Sequence, residues 1–385
     1  MEKTGKKRNH FADLKRINMN PVPHPSTFID SQSVNVIRRY VAEAEQMRCL
    51  HPEQLALIYH NRWFNLYVPD RYGGLDLPLP QGLRIEEALA WTDGSVGWTV
   101  TLCSGANWFI GFLQPGIAAT LFNSEKVCFA GSGRASGIAK MINNDEFEIS
   151  GSWQYATGAA HATAFTANCH IEKDGHFLQH EDGTPVVAAF IFLRSEVVIT
   201  DDWKGMGMVA TSSNRFEVNR LRVNKNRLFE IDENKAVLPD KIYQYPFLQF
   251  AESTLAVNIS GMAIHFMDLF EQNLKERKTG DHFTDDRRHS LFLRHEAARN
   301  EQQEARDRFY QTLQSSWDEW DKNKHFDTNT LKNVSQASTH LAAASRQAVD
   351  ELFPFCGLIA SDPSSQINRV WRNLHTACLH PLLLQ

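Results

Sequence analysis

Two stretches carry side chains that could do chemistry on a small molecule. Gly151–His161 runs off a predicted strand and offers an indole at Trp153, a hydroxyl at Thr157 and a glycine at Gly158. That set suits a flat aromatic cofactor, which needs a ring to stack on, polar groups to bond to and a glycine where it nears the backbone. A plain strand end with a core tryptophan has the same composition, so the residues alone leave both readings open. Gln366–His380 places Arg369, Arg372, His375 and Thr376 at spacings that can share one helical face, and His380 follows five residues after His375. Imidazole titrates near neutrality, so either histidine could act as a general base on a phenol, thiol or amine. A helix end capped by cations reads the same way, since Arg and His favour the last turn.

Other signals are weaker. Gly131-Ser132-Gly133-Arg134 contains GxG but lacks the third glycine and the following helix of a dinucleotide loop. His282, His289 and His295 lie near Asp285, Asp286 and Glu296, but only His282/Asp286 and His289-to-Glu296 are spaced for a shared metal. The stretch is otherwise full of Arg and Glu and reads as a solvated charged face, with no metal site. P-loop, HExxH and GxSxG patterns are absent.

These residues need elements to position them. Val34, Ile37, Tyr40/Val41, Ala44 and Met47 recur as the stripe of an amphipathic helix, and Pro52 suits the first turn of a second. The Asp93-Gly94 break predicts a connection between two helices. From about 127 to 235 the period changes to alternation, as in Phe147–Ser150 and Arg215–Val218, and Val186–Leu193 forms a short apolar run. Close-set strands without intervening helices predict an antiparallel domain. Beyond 245, Leu255–Leu269 reads as a central bundle helix, and Phe309, Leu313, Trp317 and Trp320 line one face of another. Asp321–Asn329 reads as a loop. The apolar faces of these two helices exceed one bundle's need and are expected to pack between subunits.

The chain has 385 residues, room for two or three domains. Its 40 Lys+Arg against 45 Asp+Glu give a net charge of −5, which supplies no basic field for nucleic acid or an anionic membrane. No apolar run nears the roughly 18–20 residues of a membrane span. The basic start, Met1–Arg8, lacks the apolar core of a secretory signal. Six cysteines without CxxC spacing read as reduced thiols of a cytoplasmic protein.

Five segments in order resemble the acyl-CoA dehydrogenase superfamily, and within it the flavin-dependent monooxygenase branch: the Tyr67–Gly74 turn, the Ala88–Trp98 helix pair, Gly151–His161, Asp202–Ser213 and Arg369–His380. The resemblance implies an α+β, mainly α fold with an N-terminal helical domain (1–125), a middle antiparallel β domain (126–236) and a C-terminal four-helix bundle (237–385). It implies the oxygenase component of a two-component (group D type) system. FMN or FAD would arrive reduced from a separate flavin reductase and react with O2 to a flavin C4a-hydroperoxide. A small aromatic, heterocyclic or amine substrate, or a thioether, would be oxidised in a homotetramer. By the same resemblance His380 is the catalytic base, with His375 its competitor, and Thr157 bonds near the flavin N5. Trp153 borders the ring, and Gly158, Gly131 and Ser132 join the cofactor site.

The chain departs from the dehydrogenases of the superfamily. Phe129–Gly137 lacks their Thr-Glu-Pro and Ser-Asp, no late catalytic Glu follows His380, Arg372-Asn373 replaces Arg-Asp, and Thr157 stands for the commoner Ser. Two alternatives are an acyl-CoA dehydrogenase with Glu252 as base, and a binding protein that kept the fold without the chemistry.

Overall fold

In the computed structural model, which describes residues 21–278 and 283–383, helix boundaries fall where the sequence places its caps. The basic start and His282 lie outside the described residues. α1 (Ser31–Arg39) begins at Asp30, whose carboxylate accepts the Ser33 amide at 2.8 Å. The Val34–Met47 stripe is not one helix: Tyr40 leaves helical geometry, its ring flat on His51 with centroids 4.1 Å apart, and α2 (Val41–Met47) starts afresh. α3 (Pro52–His60) opens on its proline, whose missing N–H costs nothing there. α4 (Leu79–Thr92) and α5 (Gly94–Asn107) are separated by Asp93 alone, which caps α5 through the Val96 amide at 2.9 Å. α6 (Pro115–Leu121) follows.

The strands are β1 (Phe129–Met141), β2 (Glu146–Ala156), β3 (Ala164–Lys173), β4 (His176–Phe177), β5 (Val187–Leu193), β6 (Val198–Thr200), β7 (Asn214–Asn224) and β8 (Leu228–Phe229). They form one sheet in the order β6-β7-β2-β1-β3-β5-β8, with β4 on β3. Its pairings are antiparallel with one exception: β1 and β3 run parallel, from Phe129 beside Ala164 to Lys140 beside Glu172. The hairpin partner β2 already occupies one edge of β1. The turn after β2 therefore delivers β3 to the other edge, pointing the same way as β1.

α7 (Lys241–Gln244), α8 (Phe247–Glu276), α9 (Asp285–Asn323), α10 (Thr328–Leu352) and α11 (Gln366–Ala377) complete the chain. α8 is central, with α4, α5, α9, α10 and α11 packed around it, and it is buried on nearly every side from Phe250 to Met267. The expectation of spare apolar surface is corrected here. Leu255–Leu269 is covered within the chain by α4 and α5 as well as the bundle, and Phe309, Leu313 and Trp317 are buried too. Leu89, Phe250 and Phe309 belong to one core, so the first helices and the bundle share it. Within it Glu87 of α4 receives both Arg306 Nε and Arg306 Nη2 from α9 at 2.8 Å, and Tyr310 and Ser260 add hydroxyls. A buried ion pair needs such extra bonds to balance its desolvation.

His295 is not on a solvated face. It is buried, stacked on Phe270, with Nε2 3.2 Å from the Met267 carbonyl. No helix among the described residues is long and apolar enough to cross a membrane.

Candidate active site

A cavity of about 310 Å³ opens where α5, α8, the sheet and the turn after α11 meet. Phe109, Phe229, Phe247 and Phe250 give it aromatic walls, and Gly131, Ser132, Thr157 and His380 reach it from three parts of the chain. The β1–β3 register slips between Ser132 and Ala135 and again before Gly137, which bends β1 where it lines the cavity. Gly131 is required by the sheet itself: a Cβ there would lie 2.1 Å from Thr166 Oγ1.

Thr157 follows the end of β2. Its hydroxyl lies 2.9 Å from Ser213 Oγ, which lies 2.7 Å from Thr211 Oγ1, and Thr211 donates to the Met208 carbonyl at 2.8 Å. The turn and the loop are laced by backbone as well, the Gly158 amide to Thr211 O at 2.9 Å and the Ala159 amide to Ser212 O at 3.2 Å. Tyr155, Met208 and Ser212 all take positive φ, a concentration of backbone strain that surrounding contacts must hold.

α11 does much of that holding. Asn373 Oδ1 accepts the Met208 amide at 2.7 Å, Thr376 Oγ1 accepts the Gly207 amide at 3.0 Å, and Arg372 donates to the Met206 carbonyl at 2.6 Å. The helix sits so close that a Cβ at Gly207 would fall 2.1 Å from the Arg372 carbonyl oxygen. Arg369 and Arg372 both pair with Glu45 of α2, at 2.9 and 3.3 Å. Asn373, where the family pattern has an acid, is thus a buried backbone acceptor.

His380 lies three residues beyond α11 and packs its ring edge against Trp98, centroids 6.1 Å apart. Burial pushes its pKa below the ordinary histidine value, so the ring is neutral at neutral pH. Its Nδ1 accepts the Leu382 amide at 3.4 Å, which leaves the ring proton on Nε2.

Other expected site residues are elsewhere. Trp153 does not border the cavity: it is 0% exposed inside the sheet core, stacked on Phe216 at 5.1 Å, and donates to the Asn168 carbonyl at 3.0 Å. Indole is apolar enough to fill that core, and Gly137 and Gly151 leave it room. Gly158 has φ +80° and faces protein, not ligand; a Cβ would meet Cys103 Sγ of α5 at 2.6 Å. His375 points away, with Nε2 3.2 Å from Asp350 of α10 and its ring against Trp371. Glu252 is buried outside the cavity lining, its Oε2 without a hydrogen-bond partner and its carboxyl pKa raised by burial.

The sequence reading missed Thr101, Thr254 and the phenylalanine walls. Phe247, Phe250/Ala251 and Thr254/Leu255 recur at three- and four-residue steps, a stripe that marks one α8 face as shared. That stripe alone could not say it faced a cavity rather than core.

The residues present fit an isoalloxazine. Aromatic walls take a flat ring, a half-satisfied Thr157 hydroxyl and a neutral imidazole supply polar contacts, and no carboxylate lines the cavity among the described residues.

Residues 253–384 match the family model "Acyl-CoA dehydrogenase, C-terminal domain". Over 363 residues the chain is 22% identical to the flavin-dependent monooxygenase oxygenase subunit HsaA of Mycobacterium tuberculosis, covering 89% of this chain and 88% of that one. The crystal structure of 3-HSA hydroxylase from Rhodococcus sp. RHA1 superposes with a TM-score of 0.82 at 19% identity, covering 91% of each chain. XiaF from Streptomyces sp., in complex with FADH2 and glycerol, gives 0.80 at 18% identity over 91% of this chain and 89% of that one.

Proposed function

We propose that this member of the acyl-CoA dehydrogenase superfamily is the oxygenase component of a two-component flavin-dependent monooxygenase acting on a small aromatic, heterocyclic or amine substrate. One observation carries the reading: Thr157 and His380 share an aromatic-walled cavity that no carboxylate lines among the described residues. A dehydrogenase that removes a proton beside a thioester needs a carboxylate base, and Glu252 lies outside the cavity lining. A binding relic would need neither a polar pair nor the α11 clasp on the loop behind it.

Reduced FMN or FAD, when bound, supplies the oxygen activation. The chain's residues bind, orient and shield. The phenylalanine walls exclude water, which favours coupled use of oxygen over wasted reductant. Thr157 would accept a hydrogen bond from the ring, and Gly131 and Ser132 would let it approach β1. His380, neutral and with its proton on Nε2, orients the acceptor atom of the substrate; the base role expected from the sequence requires the opposite tautomer. We further place a separate flavin reductase as the source of reduced cofactor, a homotetramer as the assembly and the cytoplasm, where six unpaired cysteines stay reduced, as the compartment.

The test is anaerobic titration of the purified protein with reduced and with oxidised FMN and FAD, followed by oxygen uptake. Binding of reduced flavin and oxygen consumption are expected. A protein that holds FAD as isolated and reduces a dye with an acyl-CoA would overturn the reading.

A further inference from the structure

Behind the cavity wall, the hydroxyls of Thr157, Ser213 and Thr211 stand in line and end on the Met208 carbonyl, with successive separations of 2.9, 2.7 and 2.8 Å. Each hydroxyl brings one proton and a carbonyl brings none. The Met208 oxygen also takes the Trp203 indole N–H at 2.8 Å, so it only accepts, and Thr211 must donate to it. Ser213 then gives its proton to Thr211, and Thr157 gives its own to Ser213. The three residues are 6%, 5% and 0% exposed in chain order from the cavity, too dry for water to reset the direction. What Thr157 shows the cavity is therefore a lone pair.

We infer that Ser213 and Thr211, neither of which lines the cavity, make the site selective for the reduced redox state of its flavin. The inference rests on the flavin reading above. A group bound opposite Thr157 must bring the proton. A reduced isoalloxazine carries N–H at N5, whereas the oxidised ring has only a lone pair there. Oxidised flavin would set two lone pairs face to face, or force the chain to reverse and leave Thr211 and the Met208 carbonyl as two acceptors in contact. Either arrangement loses one hydrogen bond, worth about tenfold in affinity. Ser213 and Thr211 are positioning residues in this account, acting through Thr157.

The experiment measures the ratio of dissociation constants for one flavin in its two redox states, by tryptophan quenching, anaerobically for the reduced form. Wild type is expected to favour the reduced form. Ser213→Ala frees the Thr157 proton, and Thr211→Val lets Ser213 donate back to Thr157. Each should lower the preference about tenfold, mainly by tighter binding of oxidised flavin. Thr211→Ser keeps the chain and should keep the ratio. Equal binding of both states by wild type, or an unchanged ratio in whichever of the two chain-breaking variants retains wild-type circular dichroism, overturns the inference. Failure of wild type to bind flavin in either state overturns the functional reading instead, and this inference with it.

Discussion

Asn373 accepts the Met208 amide at 2.7 Å, and through that bond the helix leading to His380 fixes the carbonyl on which the Thr157 hydroxyl chain ends. Thr157 and His380 are thus both set by one contact between α11 and the loop before β7, although they lie 223 positions apart in sequence.

Asn373→Leu should leave the Met208 N–H buried without an acceptor, which costs about 1–3 kcal/mol. Thermal unfolding should show the loss, and reduced-flavin affinity should fall with it. Asn373→Asp keeps an acceptor oxygen and should lie closer to wild type. A leucine variant as stable as wild type would show that the loop is held elsewhere.

The two histidines of the last segment should separate cleanly. His380→Ala should still bind reduced flavin and consume oxygen, but release hydrogen peroxide, with product formation down by about 10²-fold because the acceptor atom is no longer oriented. His375→Ala removes a ring that meets Asp350 and Trp371, away from the cavity, so product per oxygen should match wild type. Equal coupling in both variants would remove His380 from the chemistry.

Gly158 should prove a stability position. Alanine there must adopt φ +80° and crowd Cys103 Sγ, so Gly158→Ala should lose about 1–3 kcal/mol in thermal or denaturant unfolding. Adding Cys103→Ala removes the crowding atom and should recover part of the loss. Strict additivity of the two changes would show that strain alone, without the contact, sets the cost.

Acid should weaken the fold through His161. Burial pushes its pKa down to about 4, and its Nε2 has no partner. A histidine depressed in the folded state is protonated first in the unfolded chain, so stability falls as pH drops from about 6.5 toward 4, by about 2.5 kcal/mol at pH 4.5. His161→Gln carries no titrating group and should show a shallower decline in melting temperature over that window. Parallel declines would assign the acid sensitivity to other groups, His265 among them, whose burial depresses it to about 3.

Much of the fold was legible. Alternation marked β2 and β7, capping residues marked α3 and α5, and the apolar run marked α8, because those signals are local. The parallel β1–β3 pair was not legible, since strand direction depends on which edge is free. The reading of the site named Thr157 after a strand and His380 after a helix through the family resemblance, and both line the cavity. It failed where one residue type serves two ends. Trp153 suits a cofactor face and a sheet core equally, Gly158 suits a ligand and a thiol neighbour, and only packing decides. The hydroxyl line through Ser213 and Thr211 escaped notice because Thr157 joins them across more than fifty intervening residues.

The cavity takes Thr101, Gly131, Thr254 and His380 from four distant stretches. Contacts of such separation form late, after most loop-closure entropy has been spent. A chain that has formed its sheet or its long helices, but has not docked its final turn, has no place to keep a reactive cofactor beside oxygen. In refolding, flavin capture should appear only in the slowest phase, after helical signal has returned.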